Sequence, residues 1–128
     1  MSLWIPVSCG ELLDKMTILL IKKEKIENPQ KLENIIKELD QLTEVYDEKI
    51  GKSDELESVI TELRKVNETL WQIEDDIRAC ERQQDFGERF IELARSVYRT
   101  NDRRAALKYT INSLVGSALV EEKSYEEY

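Results

Sequence analysis

An all-α fold, a helical bundle with a long antiparallel coiled-coil hairpin, is predicted by three features of this 128-residue chain. Leu56, Val59, Leu63, Val66, Leu70, Ile73, Ile77 and Cys80 recur at alternating intervals of three and four, which makes a coiled-coil seam rather than a loose amphipathic stripe. Leu32, Ile35, Leu39, Leu42 and Tyr46 repeat that spacing upstream. Helix stops and starts, Asn28-Pro29 and Gly51 to Asp54, separate the runs.

The elements follow in order. Residues 3–7, which include Pro6, form a short extended apolar entry. Ser8 with Glu11 reads as a capping box and Val7 with Leu12 as a hydrophobic staple, opening a first helix over about 9–27. Its middle, 16–21, is apolar on nearly every side, so this helix should be the most buried. Asn28 caps the second helix with Pro29 at its first position, and Gly51 is expected to end it in the left-handed conformation. The short connection that follows predicts that helices two and three pair as the hairpin, about 29–84. A third helix of about 28 residues would be about 42 Å long, leaving seam for helix four or for another chain. Asp85 with Glu88 repeats the capping box before a C-terminal helical segment over about 86–115, with Phe90, Ile91, Ala94, Val97 and Tyr98 inward. The apolar phase shifts near Thr100-Asn101-Asp102, where either a break or a bend fits, and Leu107, Ile111, Leu114 and Val115 lead to Gly116. The acidic tail, 117–128, carries Leu119, Val120, Tyr125 and Tyr128 and is expected to dock. The whole, 1–128, reads as one helical domain.

Composition narrows the chemistry. A net charge of −8 disfavours nucleic acid as a partner. Cys9 and Cys80 stand alone and read as reduced thiols, Cys80 on the seam as a small core residue. With no basic leader before an apolar stretch and no run near the length of a membrane span, a cytoplasmic location without membrane contact is expected. The absence of histidine excludes Ser-His and Cys-His pairs, an imidazole base and mixed Cys/His zinc sites. With only four glycines there is no Gly-rich phosphate loop, and no cofactor or metal is called for.

Arginine is the informative residue. Seven of the eight arginines, Arg78, Arg82, Arg89, Arg95, Arg99, Arg103 and Arg104, fall in one stretch. Residues 78–108 hold eight basic and five acidic side chains, a local +3 (8 − 5) against −11 (−8 − 3) for the remainder. A guanidinium grips carboxylate or phosphate with two parallel hydrogen bonds, as lysine cannot. Arg95, Tyr98, Arg99, Asn101, Asp102, Arg103, Arg104 and Lys108 are therefore the candidate anion-binding residues, continuing to Asn112, with Asp14 and Lys15 of the first helix as a second candidate group. The competing reading laces the arginines to Glu74, Asp75 and Asp76 on helix three. Glu24 with Glu27 and Glu44 with Asp47 mimic the ExxE and ExxD spacing of magnesium-dependent all-α nucleotide pyrophosphohydrolases, a match that arises readily by chance among 27 acids. Asn67 and Trp71 flank the seam, where register and packing explain them.

Four stretches carry a resemblance: VSCGELLDKMTIL at 7–19, VNETLWQIED at 66–75, FIELARSVYRTNDRRAALK at 90–108 and VEEKSY at 120–125. In this order they resemble the motifs of a family of small bacterial helical proteins, a domain of unknown function, which implies a helical fold but no activity. A weaker likeness is to the all-helical chorismate mutases, although helix one lacks the early arginine those enzymes present. The leading expectation is a non-enzymatic protein-interaction or scaffold module acting as a homodimer through excess seam, with or without a further protein partner. The alternative is a binder of, or enzyme acting on, a phosphate- or carboxylate-bearing small molecule at the Arg/Asn/Asp cluster.

Overall fold

The computed structural model describes residues 1–128 as four helices and no strand: α1 (Cys9–Lys25), α2 (Pro29–Lys49), α3 (Asp54–Arg82) and α4 (Glu88–Val115). Local chemistry sets most boundaries. The Ser8 hydroxyl accepts from the Glu11 amide at 3.0 Å and opens α1. Only that half of the capping box forms, because the Glu11 carboxylate turns to Lys108. Asn28 accepts from the amides of Gln30 and Lys31, and Ser53 from that of Leu56, so α2 and α3 start where the polar residues predict.

Two helix-end signals are used differently. Gly51 is not left-handed; α2 ends on extended Ile50 instead. Left-handed residues follow only α3 and α4, Gln84 (φ 56°) after the first and Gly116 (φ 65°) after the second. Around Gln84 the Asp85 amide donates to the Cys80 carbonyl at 2.9 Å and the Gln84 amide to Glu81 at 3.1 Å, a Schellman closure. Asp85 therefore belongs to the end of α3, its carboxylate accepting from the Gly87 amide at 3.1 Å. Gly87 then begins α4 with no side-chain cap, and the expected second capping box is absent.

The long antiparallel hairpin is α3 with α4, not α2 with α3. Nowhere do the Cα atoms of α2 and α3 come within 8 Å. The reason lies in α1, whose apolar side chains need cover on more than one side. Its first half wedges against both α3 and α4, while α2 packs along α1 and reaches α3 only near its C-terminal end, where the Tyr46 hydroxyl donates to Glu57 at 2.9 Å. Leu12, Leu13, Tyr46, Ile50, Leu56, Leu63 and Ile111 form the main core, and Leu19, Ile35 and Leu39 a second cluster between α1 and α2.

Both clusters sit at one end of the α3–α4 hairpin. No apolar residue between 70 and 97 belongs to either. Ile73 and Cys80 are buried between the two helices, but Leu70, Trp71, Ile77, Phe90 and Leu93 are only half-buried. The outer half of the hairpin is thus a two-helix arm. Ile91, expected inward, is 53 % exposed on it, because Phe90, Leu93, Ala94 and Val97 are the more buried stripe of this segment. Tyr98 also points outward. Helix α4 runs unbroken through 100–102: the change of apolar phase marks where the helix gains α1 as a second neighbour. Beyond Gly116 the tail doubles back along α4, Glu121 reaching Asn112, Lys123 reaching Asp102 and the Tyr128 ring meeting Tyr98.

Close approach of α1 to α4 requires a glycine. A Cβ on Gly10 would lie 2.6 Å from the Lys108 carbonyl oxygen and 3.1 Å from Asn112 Oδ1. Gly10→Ala should cost about 2 kcal/mol in urea unfolding as the helices are forced apart. Gly51→Ala, which meets open space, should stay within about 0.5 kcal/mol.

Candidate functional site

The wedge of α1 carries a buried polar network. Asp14, 1 % exposed, is a carboxylate inside the bundle. Arg104 grips it with both arms of the fork, Nε to Oδ1 at 2.9 Å and Nη2 to Oδ2 at 2.6 Å. Asn67 of α3 donates from one amide nitrogen to Asp14 Oδ1 at 3.0 Å and to Thr17 Oγ1 at 2.9 Å. Thr17 in turn donates to the Asp14 carbonyl at 2.7 Å. Three helices are pinned at one carboxylate. The Arg104 guanidinium is held in its charged form, first by the hydrogen bonds it donates to Asp14 and against the effect of burial.

A second set lies one turn away on α4. Lys108 donates to Glu11 Oε2 at 2.6 Å and stands 3.9 Å from Glu121 Oε1. Asn112, buried, accepts from the Gly10 amide at 2.7 Å and donates to Glu121 Oε2 at 3.2 Å. Ser8 also donates to Glu121. Glu121 therefore ties the tail to the start of α1. Burial pushes its carboxyl upward, but the Ser8 hydroxyl, its own backbone, Lys108 and Asn112 outweigh that and hold it below its usual range.

The arginine-rich stretch is not one site. Arg104 and Lys108 enter the network, but Arg95 pairs with Glu92 on its own helix at 2.9 Å. Arg78 pairs with Glu74 and Arg89 stands 3.9 Å from Asp76, exposed pairs of the lacing kind. Arg99 and Arg103 are exposed and make no ion pair. Asp102 binds Lys123 at 2.5 Å, while Asn101 sits 3.5 Å from Arg104. Lys15 leaves the group entirely, bonding Glu38 of α2 at 2.8 Å. The metal-like pairs are not gathered either: Glu24 meets Arg64 and Asp47 meets Lys52, and no group of three acidic or thiol ligands assembles.

Above the network, between α4 and the tail, opens a cleft of about 780 Å³. Arg104, Lys108, Asn101 and Tyr98 face it from α4, and Lys123 and Tyr128 from the tail. Beside the seam Asn67 reads as a register residue, and neither Thr17 nor Glu121 carries a role legible from the sequence. A polar side chain in an otherwise apolar helix face was the available signal for the first two. Glu121 offered none, since its partners Ser8 and Lys108 are remote in the chain.

Arg104→Lys should remove about 2 kcal/mol from stability in urea unfolding, since one ammonium cannot replace the fork on a buried carboxylate. Arg99→Lys and Arg103→Lys should each change it by less than about 0.5 kcal/mol. The tail should respond to acid. Hydrogen bonds from Lys123 and Tyr128 hold the Asp102 carboxyl low, and Glu121 is lowered as well. Both contributions are complete above the ordinary values of 3.8 and 4.5 and fade as pH falls through the lowered ones. A pH titration followed by the Tyr98 and Tyr128 ring resonances should show the tail releasing in acid.

Comparison with curated proteins and with solved structures gives no match. No helix is long and apolar enough to cross a membrane. A family comparison does match, over residues 3–128 and so across the network, the cleft and the tail alike; the chain belongs to a Family of unknown function (DUF6165).

Proposed function

We propose that the chain is a non-enzymatic, cytoplasmic interaction module that works as a homodimer joined through the α3–α4 arm. The observation that supports this reading is the arm itself: two long helices carry apolar side chains past the core with only each other for cover. Phe86 and Ile91 are exposed on it, and Leu70, Trp71, Ile77, Phe90 and Leu93 are half-buried. Two such arms laid side by side would complete a four-helix bundle, the ordinary way to finish an unsatisfied pair. A second copy is the favoured occupant because it brings the same incomplete seam, and a self-complementary patch is what a twofold dimer requires.

The network supports the non-enzymatic part. Asp14 is buried and already accepts from Arg104 and Asn67, so no free carboxylate stands ready as a general base there. The segment before α1 adds a second sticky surface: Leu3, Trp4 and Ile5 are all exposed, Trp4 by 83 %. An apolar run of this kind in solvent suits a further protein partner.

Light scattering on the eluting protein should give twice the chain mass. Trp71→Glu and Ile91→Glu should each yield a monomer with unchanged helix content. A strict monomer at every concentration, or dimers indifferent to both substitutions, would overturn the reading.

A further inference from the structure

The cleft beside the network has a composition that self-association does not use. Its volume, about 780 Å³, lies in the range of small-molecule sites, about 300–1,000 Å³. Aromatic faces come from Tyr98 on α4 and Tyr128 on the tail, whose ring centroids are 5.0 Å apart. Cationic heads come from Arg104 and Lys108, spaced four residues apart on one face of α4, and from Lys123 opposite.

Donor capacity decides whether those heads are available. A guanidinium has five N–H groups and an ammonium three. Arg104 places Nε and Nη2 on Asp14, and its Nη1 has only a 3.5 Å contact with Asn101. Lys108 makes one short bond, to Glu11; Glu121 at 3.9 Å is beyond hydrogen-bond reach. Both side chains are mostly covered, 30 % and 18 % exposed, yet both line the cleft. Asp14 and Glu11 approach from α1 and fix the heads in place without using all their hydrogens. The acids on the cleft side are Asp102, engaged by Lys123, and Glu126 at the rim.

We infer that this cleft binds a small aromatic anion, its phosphate or carboxylate on Lys108 and Arg104 and its ring against Tyr98 and Tyr128. Tail and helix each supply part of the site, so a ligand of this class also clamps the tail. The cleft faces and the arm surfaces Trp71 and Ile91 are separate, so either proposal can fail without the other.

Phenyl phosphate and adenosine monophosphate are the probes, with inorganic phosphate and adenosine as controls, followed by calorimetry and by amide resonances. Both probes should bind and move resonances of 98–108 and of the tail, while each control binds at least about tenfold more weakly. Tyr98→Ala and Lys123→Glu lie at the exposed rim, away from both core clusters, and should leave the helix content of the bundle unchanged although they loosen the tail. Each should weaken probe binding about fivefold to tenfold. No resonance change in 98–108 with either probe at about 10 mM would overturn the inference. Binding that ignores both substitutions, or equals that of the controls, would do so too.

Discussion

The bundle turns on one buried ion pair. Asp14 and Arg104 come from helices ninety residues apart in the chain, and their fork-to-carboxylate contact fixes how α1 lies on α4. An isolated carboxylate at that depth would be costly by several kcal/mol. Asn67 from α3 completes its shell, so the geometry of three helices is specified at a single point. Such a pair is weak testimony for net stability, since apolar residues of similar volume often do as well. Its contribution is orientation: apolar contact alone would let α1 slide or rotate in the groove. Gly10 acts with it, letting the α1 backbone close onto the Lys108 carbonyl.

From that point the molecule divides in two. On one side lies the core, where α1 joins the open ends of α3 and α4 and carries α2 on its back. On the other lies the arm, built from the same seam but with nothing to complete it. The tail spans the outer surface of α4, and its acid Glu121 bonds both Ser8, which caps α1, and Asn112 of α4. Arg104 and Lys108 are held by α1 from behind while their remaining hydrogens line the cleft.

Some of the site was readable from residue types alone. Asp14, Arg104 and Lys108 are legible because a guanidinium grips an anion with two bonds, Lys108 continues the basic stretch, and Asp14 lies near the start of its helix. Arg95, Arg99, Arg103 and Lys15 shared those credentials and lie outside the network, because periodicity assigns a face but does not say which neighbour the face meets. Asn67 and Thr17 broke an apolar pattern without naming a partner. Glu121 was one acid among many, distinguished only by contacts with Ser8 and Asn112.

Helix identity, most helix starts and the seam of α3 were determined by the sequence itself, because caps, prolines and a spacing of three and four act within one or two turns. The pairing of α3 with α4, the wedge of α1 between them and the continuity of α4 were decided only in three dimensions. Loop length favoured α2 against α3, but it is a weak local preference. Covering the apolar sides of α1 while satisfying a buried Asp14 is a condition on the whole chain, and that condition prevailed.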